Sequence, residues 1–240
     1  MFPCLSPRGD GDESDHSETM TKQCAARGCT EGTTGYSTLC DNHKHIQRRH
    51  GHPEQGGITV HRLRPYLKRV EARRAKNKDS DAWSILEARW SALEAHAQGI
   101  LAEWASGKAM VSAQVQAAQQ LQALSGSVPP STIVNTALAM FLMRDAEPRR
   151  FASDRAFDFQ LVRRVRGLAP VNAGSYWNHK AQRTTKVYRD LPPRVAELLG
   201  RQLREAFGLA GFMLAEKERA EEAKAQDQQR RLAEALEALA

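Results

Sequence analysis

The sequence lacks any apolar run approaching the roughly 20 residues that a membrane-spanning helix needs. Its first twenty residues hold no apolar core and five acidic residues, Asp10, Asp12, Glu13, Asp15 and Glu18. No secretory leader is therefore expected, and the chain reads as cytoplasmic, where thiols stay reduced. There is no Walker-type phosphate loop, no G-x-S-x-G and no H-E-x-x-H, so the commonest signatures of nucleotide hydrolysis, serine hydrolysis and metalloproteolysis are missing. Strand-like alternation, a βαβ rhythm and repeats of 20–50 residues are also missing. Acidic residues are too few to balance basic ones: 28 Asp and Glu stand against 35 Lys and Arg, for a net charge of +7. Such a balance favours an acidic partner, most often nucleic acid. The 240 residues allow one or two small domains.

Only four cysteines are present, and three of them fall between Cys24 and Cys40. With His43 they read C-x4-C-x10-C-x2-H, the donor set Cys24, Cys29, Cys40 and His43. Three thiolates and one imidazole suit tetrahedral Zn2+, which takes soft sulfur and nitrogen donors. His45 competes for the fourth place, but Cys-x2-His is the commoner knuckle and favours His43. Four protein ligands close the coordination sphere, so the ion is expected to be structural, with no position for a catalytic water. So short a segment lacks a core of its own and would be folded by the metal. Gly28 before Cys29 suits a tight turn, Thr33, Thr34 and Gly35 a reversal, and Leu39 a very small apolar centre. Cys4 stands alone and reads as incidental.

The pattern resembles a family of small treble-clef zinc modules: C-x4-C, a Gly-rich connection, L-C-x2-H, then a basic segment closing on R-H-G-x-P. The matching residues are Cys24, Cys29, Leu39, Cys40 and His43, then Arg49, His50, Gly51 and Pro53. The resemblance covers about residues 24–53 only. It implies a setting among phage and mobile-element proteins, often beside DNA-handling domains. Thr30-Glu31-Gly32-Thr33-Thr34 stands where that family more often carries a Pro-containing segment.

From Lys44 to Lys78 cations dominate. Arg48, Arg49, Arg62, Arg64, Lys68, Arg69, Arg73 and Arg74 are the candidate phosphate contacts, on a loop and a short helix expected after Pro65. The plainer alternative is a solvated charged linker. A second candidate region interleaves Tyr176, Trp177 and Tyr188 with Lys180, Arg183 and Lys186. It suits stacking and phosphate contact, or equally a loop or short hairpin anchored by its aromatics.

The expected architecture is mainly α: a helical bundle with a small N-terminal treble-clef-like zinc module and a long charged C-terminal helix. The divisions are a disordered acidic arm (1–20), the zinc module (21–54), a basic linker or helix (55–79), a helical region (80–125), a helical domain with the basic-aromatic segment (131–214) and a solvated charged helix (215–240). The turn signal Ser125–Pro130 is the best internal boundary. Within 80–125, Trp83, Leu86, Trp90, Leu93, Ala97, Ile100 and Trp104 form a heptad-like stripe. It predicts either the core side of a bundle, which is favoured, or a seam pairing two copies through Trp83, Leu86, Trp90 and Leu93. Gly208 and Gly211 suggest a bend in the last long helix.

These readings converge on a non-catalytic, zinc-stabilised protein that binds or accompanies DNA. A helical protein-protein adaptor is the alternative. An HNH-like nuclease using His50, His52 and His61 is less favoured, because the acidic ligands and the second spaced histidine are not recognisable.

Overall fold

The computed structural model describes residues 22–180 and 182–237, so the acidic arm 1–20 lies outside the described residues. The fold is mainly α. In chain order the helices are α1 (Asp41–His50), α2 (Val60–Lys76), α3 (Asp81–Ala105), α4 (Ser112–Ser125), α5 (Pro130–Ala146), α6 (Asp154–Arg166) and α7 (Pro193–Glu237). One antiparallel hairpin, β1 (Ala173–Asn178) with β2 (Arg183–Tyr188), is inserted between α6 and α7.

The body is built around α5. Ile133, Val134, Ala137, Leu138, Met140 and Met143 are all at most 1% exposed. A helix apolar on every side must be surrounded, and α2, α3, α6 and α7 pack against it. Its N-terminus carries Pro130 in the first turn, where the missing N–H costs nothing. Side chains set the starts of α2, α3 and α6. Ser80 accepts from the Ala82 amide, Ser153 from Ala156, and Thr59 from Arg62.

From Trp83 to Ile100 the Trp/Leu stripe of α3 faces this same core, whereas Trp104 at its end is 50% exposed and falls outside it. Trp90 is fully buried, Trp83 and Leu86 are buried, Leu93 packs at the edge, and α4 folds back along α3. The chain's own helices occupy the seam, so Trp83, Leu86 and Trp90 offer no free face to a second copy. The Ser125–Pro130 stretch is a turn within one core: Leu124 before it and Ile133 after it belong to the same apolar cluster, which extends from Ile58 to Ala215.

Three expectations change. First, α2 begins at Val60, five residues ahead of Pro65, which lies inside the helix. Capping by Thr59 and burial of Ile58, Leu63 and Val70 outweigh the one backbone bond that proline forgoes. Second, α7 runs unbroken through Gly208 and Gly211. A Cβ on Gly211 would stand 2.5 Å from Phe141 of α5, and one on Gly200 would stand 2.7 Å from the Asp158 Cβ of α6. Gly200 and Gly211 mark close helix crossings rather than bends. Third, the start of the 215–240 segment is not simply solvated, since Glu218, Glu221 and Glu222 pair with α2. Beyond Glu222 the described residues are exposed apart from Asp227, which is half-buried.

The basic-aromatic segment is a hairpin anchored by one arginine. Arg166 is 2% exposed and donates to Gln120 Oε1, Arg189 O and Asn172 Oδ1 at 2.7, 2.8 and 2.9 Å. The guanidinium groups of Arg163 and Arg166 lie 4.4 and 5.3 Å from the Tyr188 ring centroid.

Candidate metal centre and its basic surroundings

Cys24 and Cys29 sit on a turn in which the Cys29 amide donates to Ala26 O, with Gly28 at φ 69°. The Cys24 amide donates to Glu31 O, and Gln23 bridges to Gly32, so the chain reverses in a minimal hairpin. Thr33 is 2% exposed and closes that reversal with two bonds to Lys22 O. Cys40 then caps α1 and His43 lies in its first turn. A local turn and a helix start thus bring four donors together from opposite ends of a 20-residue stretch.

The donor atoms of Cys24, Cys29, Cys40 and His43 all lie within 4.8 Å of one another. Cys29 Sγ is 3.9 Å from Cys40 Sγ, and His43 Nδ1 is 3.5 Å from Cys24 Sγ and 3.2 Å from Cys40 Sγ. A tetrahedral ion with metal–sulfur bonds of about 2.3 Å requires neighbouring sulfurs about 3.8 Å apart and sulfur–nitrogen separations near 3.6 Å. The donor set fits a metal ion in number, chemistry and spacing. All three thiols are free. His45 is exposed and is not among the clustered donors. Burial raises the Cys24 thiol pKa, but hydrogen bonds from the Cys40 and Ala26 amides and from the neighbouring thiols outweigh it and lower it to about 7. That favours the thiolate a metal needs. Apart from the ligands, the apolar interior of this module is Ala26 and Leu39.

The R-H-G-x-P stretch joins the module to the body. Gly51 caps α1 at φ 84°, and a Cβ there would meet Arg155 O at 2.9 Å and the Phe159 ring at 3.0 Å. His50 Nδ1 lies 3.0 Å from Gln160 Nε2, while Gln160 Oε1 accepts from the Ile58 amide at 2.9 Å. Gln160 is fully buried. Burial, then the charges of Arg163 and Arg49, push the His50 pKa down to about 4, so the ring is neutral and accepts from the amide. Arg49 pairs with Asp190 at 2.7 Å. Gln55, 3% exposed, accepts from the Ala152 amide and donates to Arg150 O. Of the other histidines weighed as catalytic, His52 accepts from the Glu54 amide and His61 is exposed in the first turn of α2.

The candidate phosphate contacts separate into two sets. Arg69 and Arg73 turn towards α7, where Arg69 meets Glu218 and Glu222 and Arg73 meets Glu218 and Glu221. Arg74 pairs with Glu87, donates to Asn135 and lies over the Trp83 ring. With Arg49 on Asp190, these four are engaged inside the fold. Arg48, Arg62, Arg64 and Lys68 are exposed and have no ion-pair partner among the described residues. His61, Arg64 and Lys68 fall on one stripe of α2, at steps of three and four. On the hairpin, Lys180 and Arg183 are exposed beside a half-exposed Trp177, and the Lys186 side chain lies outside the described part.

Sequence reasoning missed Gln55, Gln160, Asp190 and Arg164. Of these, Gln160 carried a signal: with Asp158 it interrupts the apolar residues between Phe157 and Val162, and a polar side chain there must find partners. Compared with known protein families, with curated proteins and with solved structures, the chain has no match.

Proposed function

We propose that the protein is a zinc-stabilised, non-catalytic DNA-binding or DNA-associated protein of the phage or mobile-element type. The metal is read as zinc because three thiolates and an imidazole in a closed tetrahedron suit it best. The observation that carries the DNA reading is the set of exposed, unpaired cations Arg48, Arg62, Arg64 and Lys68. Arg48 lies on α1 of the metal module, and Arg62, Arg64 and Lys68 lie on α2, whose entry is tied to α1 through the His50–Gln160–Ile58 chain. Lys180 and Arg183 on the hairpin extend the reading to a second element.

The test is DNA affinity as a function of salt, on protein carrying its metal. Affinity is expected to fall steeply between about 50 and 200 mM salt. Replacing Arg64 and Lys68 with glutamate is expected to weaken binding at every sequence tested and to flatten that slope. Arg73→Ala should leave the slope unchanged, since Arg73 is held by Glu218 and Glu221. Salt-independent binding, or none, would remove this reading. The adaptor reading draws on one observation: Leu209, Phe212 and Met213 are each more than half exposed along one side of α7. It predicts a stable complex with another protein that Phe212→Asp abolishes and DNA affinity does not accompany.

A further inference from the structure

A recess of about 820 Å³ lies between the start of α2, the middle of α5 and the end of α6, with Tyr188 of β2 at its edge. Ile58, Leu63 and Leu67 give it apolar walls, and no described residue lining it is acidic. Three polar groups in its wall are unsatisfied, one of them the Tyr188 hydroxyl. The Thr136 hydroxyl, on a residue only 3% exposed, has no hydrogen-bond partner. Arg164 is half-buried, its Nε is sealed from solvent without a partner, and no carboxylate pairs with it among the described residues. Burial and the neighbouring Arg163 both disfavour its charge. Leaving a guanidinium so placed is costly unless an anion completes it. Arg64, also unpaired, stands at the mouth and begins the exposed stripe to Lys68.

We infer that this recess is a nucleotide site: a phosphate set between Arg164, Arg64 and the Thr136 hydroxyl, and a base against Ile58, Leu63 and Leu67. An apolar pocket with a few convergent polar groups is the usual form of such a site, and the volume is ample for one nucleotide. The inference rests on the nucleic-acid reading above and sharpens it. A strand lying along the Arg64–Lys68 stripe places one unstacked base in the recess, so single strands are preferred to duplex, where bases are not free to leave the stack.

The test uses the full, metal-loaded chain with a fluorescent single-stranded oligonucleotide, the duplex of the same sequence, and a mononucleotide as competitor. Wild type is expected to prefer the single strand. Arg164→Met and Thr136→Val should each weaken single-strand binding, the former by roughly tenfold or more, with little effect on duplex binding. Arg164→Met should also keep or raise the melting temperature without ligand, because it removes an unpaired, half-buried charge. Competition by the mononucleotide identifies a free nucleotide as ligand, and binding of oligonucleotides alone identifies a strand. Equal, salt-dependent binding of single strand and duplex, unchanged in both variants, overturns the recess while leaving the DNA reading intact. Failure of wild type to bind any of these probes overturns both. Should Arg164→Met unfold the protein, unaltered single-strand affinity of Thr136→Val is decisive against the site.

Discussion

Two parts of this chain are held together by different means. The module from Gln23 to His50 has Ala26 and Leu39 as its only buried apolar side chains beyond its ligands, and four donor atoms supply the rest. The helical body has a continuous apolar cluster reaching from Ile58 to Ala215, with Trp90, Phe157 and Phe207 fully buried. One part gathers four donors that fit a metal ion, and the other is organised by burial. They meet at a polar joint of Gly51, His50 and Gln160. The lesson is that a short segment can present a fixed surface without a core, provided that an ion and a neighbour position it.

The largest expected effect comes from removing the metal. Structural zinc contributes on the order of 10–16 kcal/mol to folding of such sites. Chelation, or Cys40→Ser, is expected to expose the amides of residues 22–40 to fast hydrogen exchange while α3, α5 and α6 stay protected. Equal loss of protection in both parts would break the comparison. Next is Trp90→Ala, which leaves a cavity beside α5. It should cost about 3–5 kcal/mol in denaturant unfolding of the body and leave one metal per chain by elemental analysis.

Smaller effects belong to the joint. Gln160→Leu strands the Ile58 amide and the His50 ring nitrogen at once. It should cost about 1–3 kcal/mol and separate the two parts into distinct thermal transitions, with metal content unchanged. A single unaltered transition would show that the joint lies elsewhere. The smallest effect is in pH. A free histidine takes its proton near 6.5, whereas His50 resists until about 4. The unfolded chain therefore binds more protons between these values. Stability from this residue is complete above about 6.5, falls as the pH drops through that window, and levels off near 4. Burial is the main cause of that resistance, Arg163, Arg49 and His45 add to it, and Asp190 opposes it. Comparison with His50→Gln over the same pH range isolates the effect from any acid release of the metal.

What could be read from the sequence was local. The stripe from Trp83 to Ala97 and the spacing of Cys24, Cys29, Cys40 and His43 are each set by neighbours in the chain, and helix α3 and the donor cluster lie where those signals put them. What could not be read depends on partners far apart in sequence. Arg73 and Arg64 look alike in the chain, but only Arg73 meets glutamates, from a helix about 145 residues later. Gly211 looks like a helix breaker until Phe141 is known to lie against it. Tyr188 and Arg166 settle the basic-aromatic segment as a hairpin, because Arg166 finds Gln120, Asn172 and Arg189 only in the folded chain.

The end of α7 has a consequence in helix–coil terms. From Ala223 to Glu237 the helix leaves the body and has few large apolar residues to bury. An isolated peptide of that length would be a marginal helix in water, because its first turn is improbable to form. Here no first turn has to form: the segment elongates from Glu218–Glu222, which α2 already holds. Its helicity is thus governed by propagation alone and falls with distance from those glutamates as a gradient rather than a cooperative step. Breaking Arg69 and Arg73 away from those glutamates would move the start of that gradient towards Ala215.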